Sequence, residues 1–172
     1  TVIRDLAFLF PGQGSQRAGM LSEAAARFPV VAATFSEASD ALDFDLWELI
    51  KSGDATALNL TDNTQPALLV SSVALWRVWK EQGGAIPAAM AGHSLGEFSA
   101  LCCAGALSLA DAAKLVRARG QFMQTAVPLG EGAMAAILGL GDEQVLAICD
   151  QVAAAEDTVV QAVNFNAPGQ VV

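Results

Sequence analysis

Basic residues are scarce in this sequence. Lys and Arg number 9 against 18 Asp and Glu, a formal charge of −9 over 172 residues, and the isoelectric point is about 4.3. An acidic chain whose basic residues show no cluster beyond Arg117 and Arg119 suits no phosphate backbone, so nucleic acid is not an expected partner. Nor is there an uninterrupted apolar run of about 18 residues, so no bilayer span is expected. The first apolar run, Leu6 to Phe10, stops at Pro11 without a basic leader or cleavage site, which argues against a secretory signal and leaves the cytoplasm as the expected location. Cysteine is limited to Cys102, Cys103 and Cys149. Their positions lack metal-ligand spacing, and they read as small apolar fillers in a reducing compartment; no metal site is expected. Histidine occurs once, at position 93. There is no internal repeat and no low-complexity tract.

What is abundant is small apolar residues. Hydrophobic types make up 53% and mean hydropathy is +0.44, much of it Ala and Val with Gly among them, the composition of tightly packed α/β layers. The length suffices for one well-buried domain, or one domain and part of another. The stretch Gly92-His93-Ser94-Leu95-Gly96 organises the rest. It follows an apolar segment, Ile86 to Ala91, that predicts a short buried strand, and precedes a small-residue helix from about Leu95 to Ala104. Strand, sharp turn and helix is the setting in which G-x-S-x-G forms a nucleophile elbow. The two glycines let strand and helix approach around Ser94, and the Leu95 N–H then faces any negative charge formed on a substrate carbonyl.

Earlier in the chain, Val2 to Phe10 contains a second buried strand, Ala7 to Phe10. The loop Pro11-Gly12-Gln13-Gly14-Ser15-Gln16 follows. Its glycines are out of register with a dinucleotide fingerprint, and without Gly-Lys-Ser/Thr it reads as a flexible turn. If its strand neighbours the one ending at Ala91, the loop shares a sheet edge with Ser94, and an N–H near Gln13 can join that of Leu95. Helices are expected at Met20 to Phe28 and Val30 to Leu42, with Pro29 near the start of the second. Residues 51 to 63 read as a polar connection. Asn63 or Thr64 then caps a long helix through about Gln82, closed by Gly83-Gly84. Leu68, Leu69, Val73, Trp76 and Trp79 supply core, while Gln65, beside Pro66, has its side chain free to face a cleft.

Ser108-x-x-Asp111 reads as a capping box for a helix of about Leu109 to Val127. At roughly 100° per residue, Phe122, Leu115, Ala112, Met123, Val116, Leu109, Val127, Gly120 and Ala113 fill half the wheel. Arg119 falls inside that arc, whereas Lys114, Arg117, Gln121, Gln124 and Thr125 form a solvated face. An arginine on an apolar stripe snorkels, pairs with an internal carboxylate, or offers a planar fork to a substrate carboxylate. Beyond Pro128 a new unit begins, with a strand at Ala133 to Leu140, a helix at Asp142 to Ala155 and a strand at Val159 to Phe165. The turn Asn166-Ala167-Pro168-Gly169 leads to a strand from Gln170. This β-α-β-β order suits the first part of a ferredoxin-like domain. Two domains are therefore expected, at 1–128 and at 129–172, the second incomplete.

Five segments together resemble the malonyl-CoA:acyl carrier protein transacylases of bacterial fatty acid synthesis. They are Phe10-Pro-Gly-Gln-Gly-Ser-Gln16, Thr64-Gln-Pro-Ala67, Gly92-His-Ser-Leu-Gly96, Arg119-Gly120 with Phe122-Met-Gln124, and Asn164-Phe-Asn-Ala-Pro-Gly-Gln-Val-Val172. The resemblance implies an α/β-hydrolase-like large domain with a parallel sheet and an inserted ferredoxin-like small domain. It implies that Ser94 takes the acyl group from malonyl-CoA and passes it to the phosphopantetheine thiol of acyl carrier protein in a ping-pong cycle. The oxyanion hole falls to the N–H groups of Gln13 and Leu95, and the malonate carboxylate to Arg119. Gln65, His93, Asn164 and Asn166 are the remaining candidate cleft residues. Malonyl-CoA is a substrate, no bound cofactor is implied, and a monomer is expected at full length. Polyketide synthase acyltransferase domains share the same order of motifs, and Leu95 after the serine favours malonyl units.

His93 directly follows a strand, where neighbouring side chains point to opposite sides, so it is poorly placed to take the Ser94 proton and reads as structural, beneath the elbow. In the resembled family the catalytic histidine lies later, so the expectation is an amino-terminal part of a protein of about 300 residues, inactive alone. Two rivals remain: a serine esterase or thioesterase, for which Arg119 is unnecessary, and a non-catalytic scaffold, favoured by the absent base.

Overall fold

The computed structural model describes residues 2–128 and 130–172. They divide between Ala126 and Val127 into two compact units, each described by itself. The first contains β1 (Val2–Phe10), α1 (Ser22–Arg27), α2 (Pro29–Leu42), α3 (Leu46–Lys51), α4 (Ala55–Leu58), α5 (Thr61–Glu81), β2 (Ile86–Gly92), α6 (Leu95–Cys103) and α7 (Leu109–Thr125). β1 and β2 run parallel, with Phe10 opposite Gly92, so both strands deliver their following loops to one end. Mixed helices with a parallel strand pair make this an α/β fold. Among the described residues, no helix is long and apolar enough to cross a membrane.

Local chemistry accounts for most element ends. Leu21 has φ 65°, so the first helix starts at Ser22 rather than at Met20. Pro29 opens α2, where its missing N–H costs nothing. Two short helices, α3 and α4, occupy the stretch between α2 and α5, part of which reads as a polar connection in the sequence. Asp45 Oδ1 accepts from the Glu48 N–H at 2.8 Å to start α3, and Asp54 Oδ1 accepts from the Ala57 N–H at 3.0 Å to start α4. The long helix begins at Thr61, ahead of the two expected caps. Both of those side chains donate backwards instead, Asn63 Nδ2 to the Ala57 carbonyl at 3.0 Å and Thr64 Oγ1 to that of Leu58 at 2.5 Å. Its other end closes on Gly83 at φ 76°, with the Gly84 N–H donating to the Trp79 carbonyl.

The core lies among helices. Val31, Phe35 and Ala38 of α2, Leu69, Val70 and Ala74 of α5, and Ala112, Ala113 and Val116 of α7 are completely buried, with Leu46 and Ile50 of α3. The strands were expected to be buried and are not. Phe10 is buried and Phe8 meets Trp76 and Trp79 edge-on at 5.3 and 5.4 Å, but Leu9, on the opposite face, is 79% exposed. Trp76 and Trp79 of α5 meet Phe8, and α6 packs against both strands, while the Leu9 side of β1 stays open. Trp79 is accordingly less buried than core, though its Nε1 donates to the Ala85 carbonyl. The apolar arc of α7 is also wider than its contact: Leu115, Met123 and Phe122 are exposed, the last by 74%. Arg117, assigned to the solvated side, instead lies 4.3 Å from the Phe44 ring and donates to the Leu42 carbonyl.

The second unit holds β3 (Ile137–Leu138), α8 (Asp142–Glu156), β4 (Phe165–Ala167) and β5 (Gln170–Val171). The sheet order is β3-β5-β4, both pairings antiparallel. Its strands are much shorter than periodicity suggested, because Met134, Val159 and Val163 stay exposed and extended chain without a buried face gains little from pairing. Asn166 and Ala167, expected in a turn, belong to β4; the turn is Pro168-Gly169, with Gly169 at φ 72°.

Candidate active site

The elbow forms because two residues there have no side chain. A Cβ on Gly92 would overlap the Gly96 carbonyl, and one on Gly96 would overlap the Phe10 carbonyl. Strand β2 and helix α6 therefore meet at backbone distance, and the His93 N–H reaches the Phe10 carbonyl at 3.2 Å. Ser94, between them, is held at φ 52° and ψ −108°, a conformation an L-residue adopts only under constraint. Its side chain is exposed while Leu95 is buried. Leu95 opens α6, so its N–H has no carbonyl within the helix to reach, and it has no partner among the described residues.

The loop after β1 arrives at the same end, and it is not the free turn expected. Gly14 N–H donates to Gln16 Oε1 at 2.8 Å, and Ser15 Oγ to the Gly12 carbonyl at 2.9 Å. Gln16 Nε2 then ties the loop to Asn59 Oδ1 at 2.7 Å. Gly12 faces the elbow: a Cβ there would sit 2.8 Å from the His93 carbonyl and 3.0 Å from its Nδ1. The imidazole thus lies over this loop, exposed, rather than beneath the elbow. Gln13 is between, with its side chain toward Thr61 Oγ1 at 3.4 Å and its N–H without a partner among the described residues.

Arg119 completes the cluster from α7. Its Nη2 donates to Ser94 Oγ at 2.9 Å and its Nη1 to Gln65 Oε1 at 2.8 Å. The guanidinium also lies 5.7 Å from the Phe98 ring. What lets α7 come so near α5 is Gly120: a Cβ there would stand 2.6 Å from Asp62 Cα and 2.7 Å from the Thr61 carbonyl. Gln65 is not free to face a cleft, as its sequence position implied. It is wholly buried, and its Nε2 points to Met123 Sδ at 3.2 Å. Arg119 needs no internal carboxylate, because a neutral amide and a hydroxyl accept its hydrogen bonds.

Asn164 and Asn166 belong to the second unit. Phe98 and Met123 are contacts that sequence reasoning missed as site residues. Phe98 sits four residues after Ser94, one turn along α6, which is a usable signal. No group of three or more His, Cys, Asp or Glu among the described residues could hold a metal ion. Burial pushes the Cys103 thiol up to about 12 and that of Cys102 up as well, which keeps both protonated and inert beside the sheet. A concavity of the first unit runs along β2 and α6, from Ile86 to Gly92 and on to Ala104, and Arg119 is not among the residues that line it. What the elbow offers chemically is an exposed hydroxyl, two amide N–H groups unpartnered among the described residues, one in the loop after β1 and one at the start of α6, and a guanidinium already within hydrogen-bond reach of that hydroxyl.

Residues 7–172 match a family described as the acyl transferase domain. The chain is 61% identical over 166 residues to the malonyl CoA-acyl carrier protein transacylase of Salmonella typhimurium, an alignment covering 96% of this chain and 53% of that protein. Among solved structures it is similar to FabD from Acinetobacter baumannii, with TM-score 0.92 and 59% identity over 96% of this chain and 52% of the other. It is likewise similar to the malonyl-transacylase in a structure described as a type II PKS acyl-carrier protein in complex with its malonyl-transacylase, with TM-score 0.92 and 56% identity over 96% and 53% of the two chains. The chain spans about half the length of the curated relatives it matches.

Proposed function

Because the chain belongs to the acyl transferase domain family, we propose that it carries the acyl-binding half of a malonyltransferase. Ser94 Oγ attacks the thioester carbonyl of malonyl-CoA, and the oxyanion accepts hydrogen bonds from the N–H groups of Gln13 and Leu95. The carbon–sulfur bond breaks, coenzyme A leaves as the thiol, and a malonyl ester remains on Ser94. Arg119 then exchanges its hydrogen bond to Ser94 Oγ for the malonate carboxylate. The phosphopantetheine thiol of acyl carrier protein attacks the ester and restores the serine, supplying malonyl units to fatty acid synthesis in the cytoplasm.

The observation that carries this reading is the 2.9 Å hydrogen bond from Arg119 Nη2 to Ser94 Oγ. A hydrolase of simple esters has no use for a fixed cation beside its nucleophile; an enzyme that holds a carboxylate-bearing acyl group does. A large domain of α/β-hydrolase type is supported by the parallel strands and the constrained Ser94, and a ferredoxin-like small domain by the antiparallel order β3-β5-β4 around one helix. His93, the sole histidine, lies over the Gly12 loop, so we do not assign it as the base, and these 172 residues alone are expected to turn over poorly. A carrier from a polyketide system is the second reading, favoured by the complex noted above.

Mass spectrometry of the full-length protein after mixing with malonyl-CoA tests the assignment. A malonyl adduct on the Ser94 peptide, absent in Ser94→Ala, is expected. An adduct that persists in Ser94→Ala, or none in either protein, overturns it.

A further inference from the structure

We propose that Gln65 is a positioning residue that sets the roll of the Arg119 guanidinium over Ser94, and that Met123 keeps the Gln65 amide from turning over. Gln65 is completely buried on α5, immediately before Pro66. A guanidinium only donates, so the amide end that meets Arg119 Nη1 at 2.8 Å is the oxygen. The amino end then faces Met123 Sδ at 3.2 Å, and a thioether only accepts. Each neighbour takes one end of the amide. Reversal would set donor against donor at Arg119 and oxygen against sulfur at Met123, at an amide that has no exposed surface of its own.

A guanidinium is planar, so an anchored Nη1 leaves rotation of the plane as the remaining freedom, and the 2.9 Å contact to Ser94 Oγ shows where Nη2 comes to rest. When an acyl group occupies that oxygen, Nη2 is released while Nη1 stays on Gln65. The fork thus turns about one fixed prong, and the other is presented to the acyl group. This inference rests on the proposed reading that Arg119 grips a carboxylate. It adds that the grip depends on a buried neutral amide, which anchors the cation without neutralising it as an Asp or Glu would.

The test compares malonyl-CoA with acetyl-CoA as acyl donors for the full-length protein, because acetyl has no carboxylate to hold. Gln65→Leu is expected to lower the malonyl-to-acetyl ratio of kcat/KM about tenfold, chiefly through KM for malonyl-CoA. Gln65→Glu is expected to lower it further, because a carboxylate would claim Arg119 for itself. Met123→Leu removes the sulfur at a half-exposed position where misfolding is not at issue, and should lower the ratio about two- to threefold. Arg119→Ala, measured alongside, should lower it more than any of these. If Arg119→Ala lowers the ratio but the Gln65 and Met123 variants do not, or if they reduce both donors equally, the positioning role is overturned and the carboxylate grip stands. An unchanged ratio in Arg119→Ala overturns both.

Discussion

The helical layer and the strand pair of the first unit are built to opposite standards. Phe35, Leu69, Val70 and Val116 have no exposed surface, whereas Leu9 of β1 is open over most of its side chain. The site draws one part from each. Arg119 and Gln65 ride on α7 and α5, where packing leaves little freedom, and Ser94 and the Gln13 loop hang from the strand ends. Rigid helices can hold a cation at a set distance from a hydroxyl; the strand pair contributes its backbone geometry at one end and little packing. Precision at the elbow therefore comes from backbone contact between strand and helix, with Leu95 of α6 anchored in the helical core.

The most damaging way to break this contrast is at the contact itself. Gly96→Ala drives a methyl group into the Phe10 carbonyl, and a loss of more than about 4 kcal/mol, or no folded protein, is expected in chemical denaturation. Next in size is the pair Phe35→Ala and Leu9→Ser in the 172-residue chain. The first should cost about 3–5 kcal/mol by emptying a closed core and the second within about 0.5 kcal/mol; equal losses would mean that the open face is packed after all. The smallest effect concerns Cys103, at the border of the two regions. Burial raises its thiol from an ordinary 9.0 to about 12. The folded state thus favours the protonated form, so this contribution to stability is intact below pH 9 and is lost as pH rises toward 12. Alkylation of native protein at Cys103 should stay slow through pH 9 and accelerate only above it; rapid labelling at pH 8 would show that the thiol is not buried.

The site was more legible in the sequence than the packing around it. Gly92 and Gly96 bracket Ser94 at a spacing that only backbone contact explains, and the angular position of Arg119 marked it as a cation on an apolar helix. The Gln65–Arg119 contact was not legible. It depends on how closely α5 and α7 cross, and the residue that permits this, Gly120, looks like any small residue on a wheel. The strands were misjudged for a related reason. An apolar run shows that a segment can be buried, but burial depends on layers that the run does not encode. Short helices such as α3 and α4 escaped because one or two turns carry too few residues for a period to show, although Asp45 and Asp54 stood ready as caps.

Ser94 is held at φ 52°, where glycine rests without penalty and serine does not. Endurance and chemistry thus compete at one backbone angle. The substitution that relaxes the turn, Ser94→Gly, would gain about 1 kcal/mol while deleting the hydroxyl. Variants chosen by heat resistance alone would therefore be drawn toward the one residue that silences the elbow, and only selection for turnover keeps a serine there.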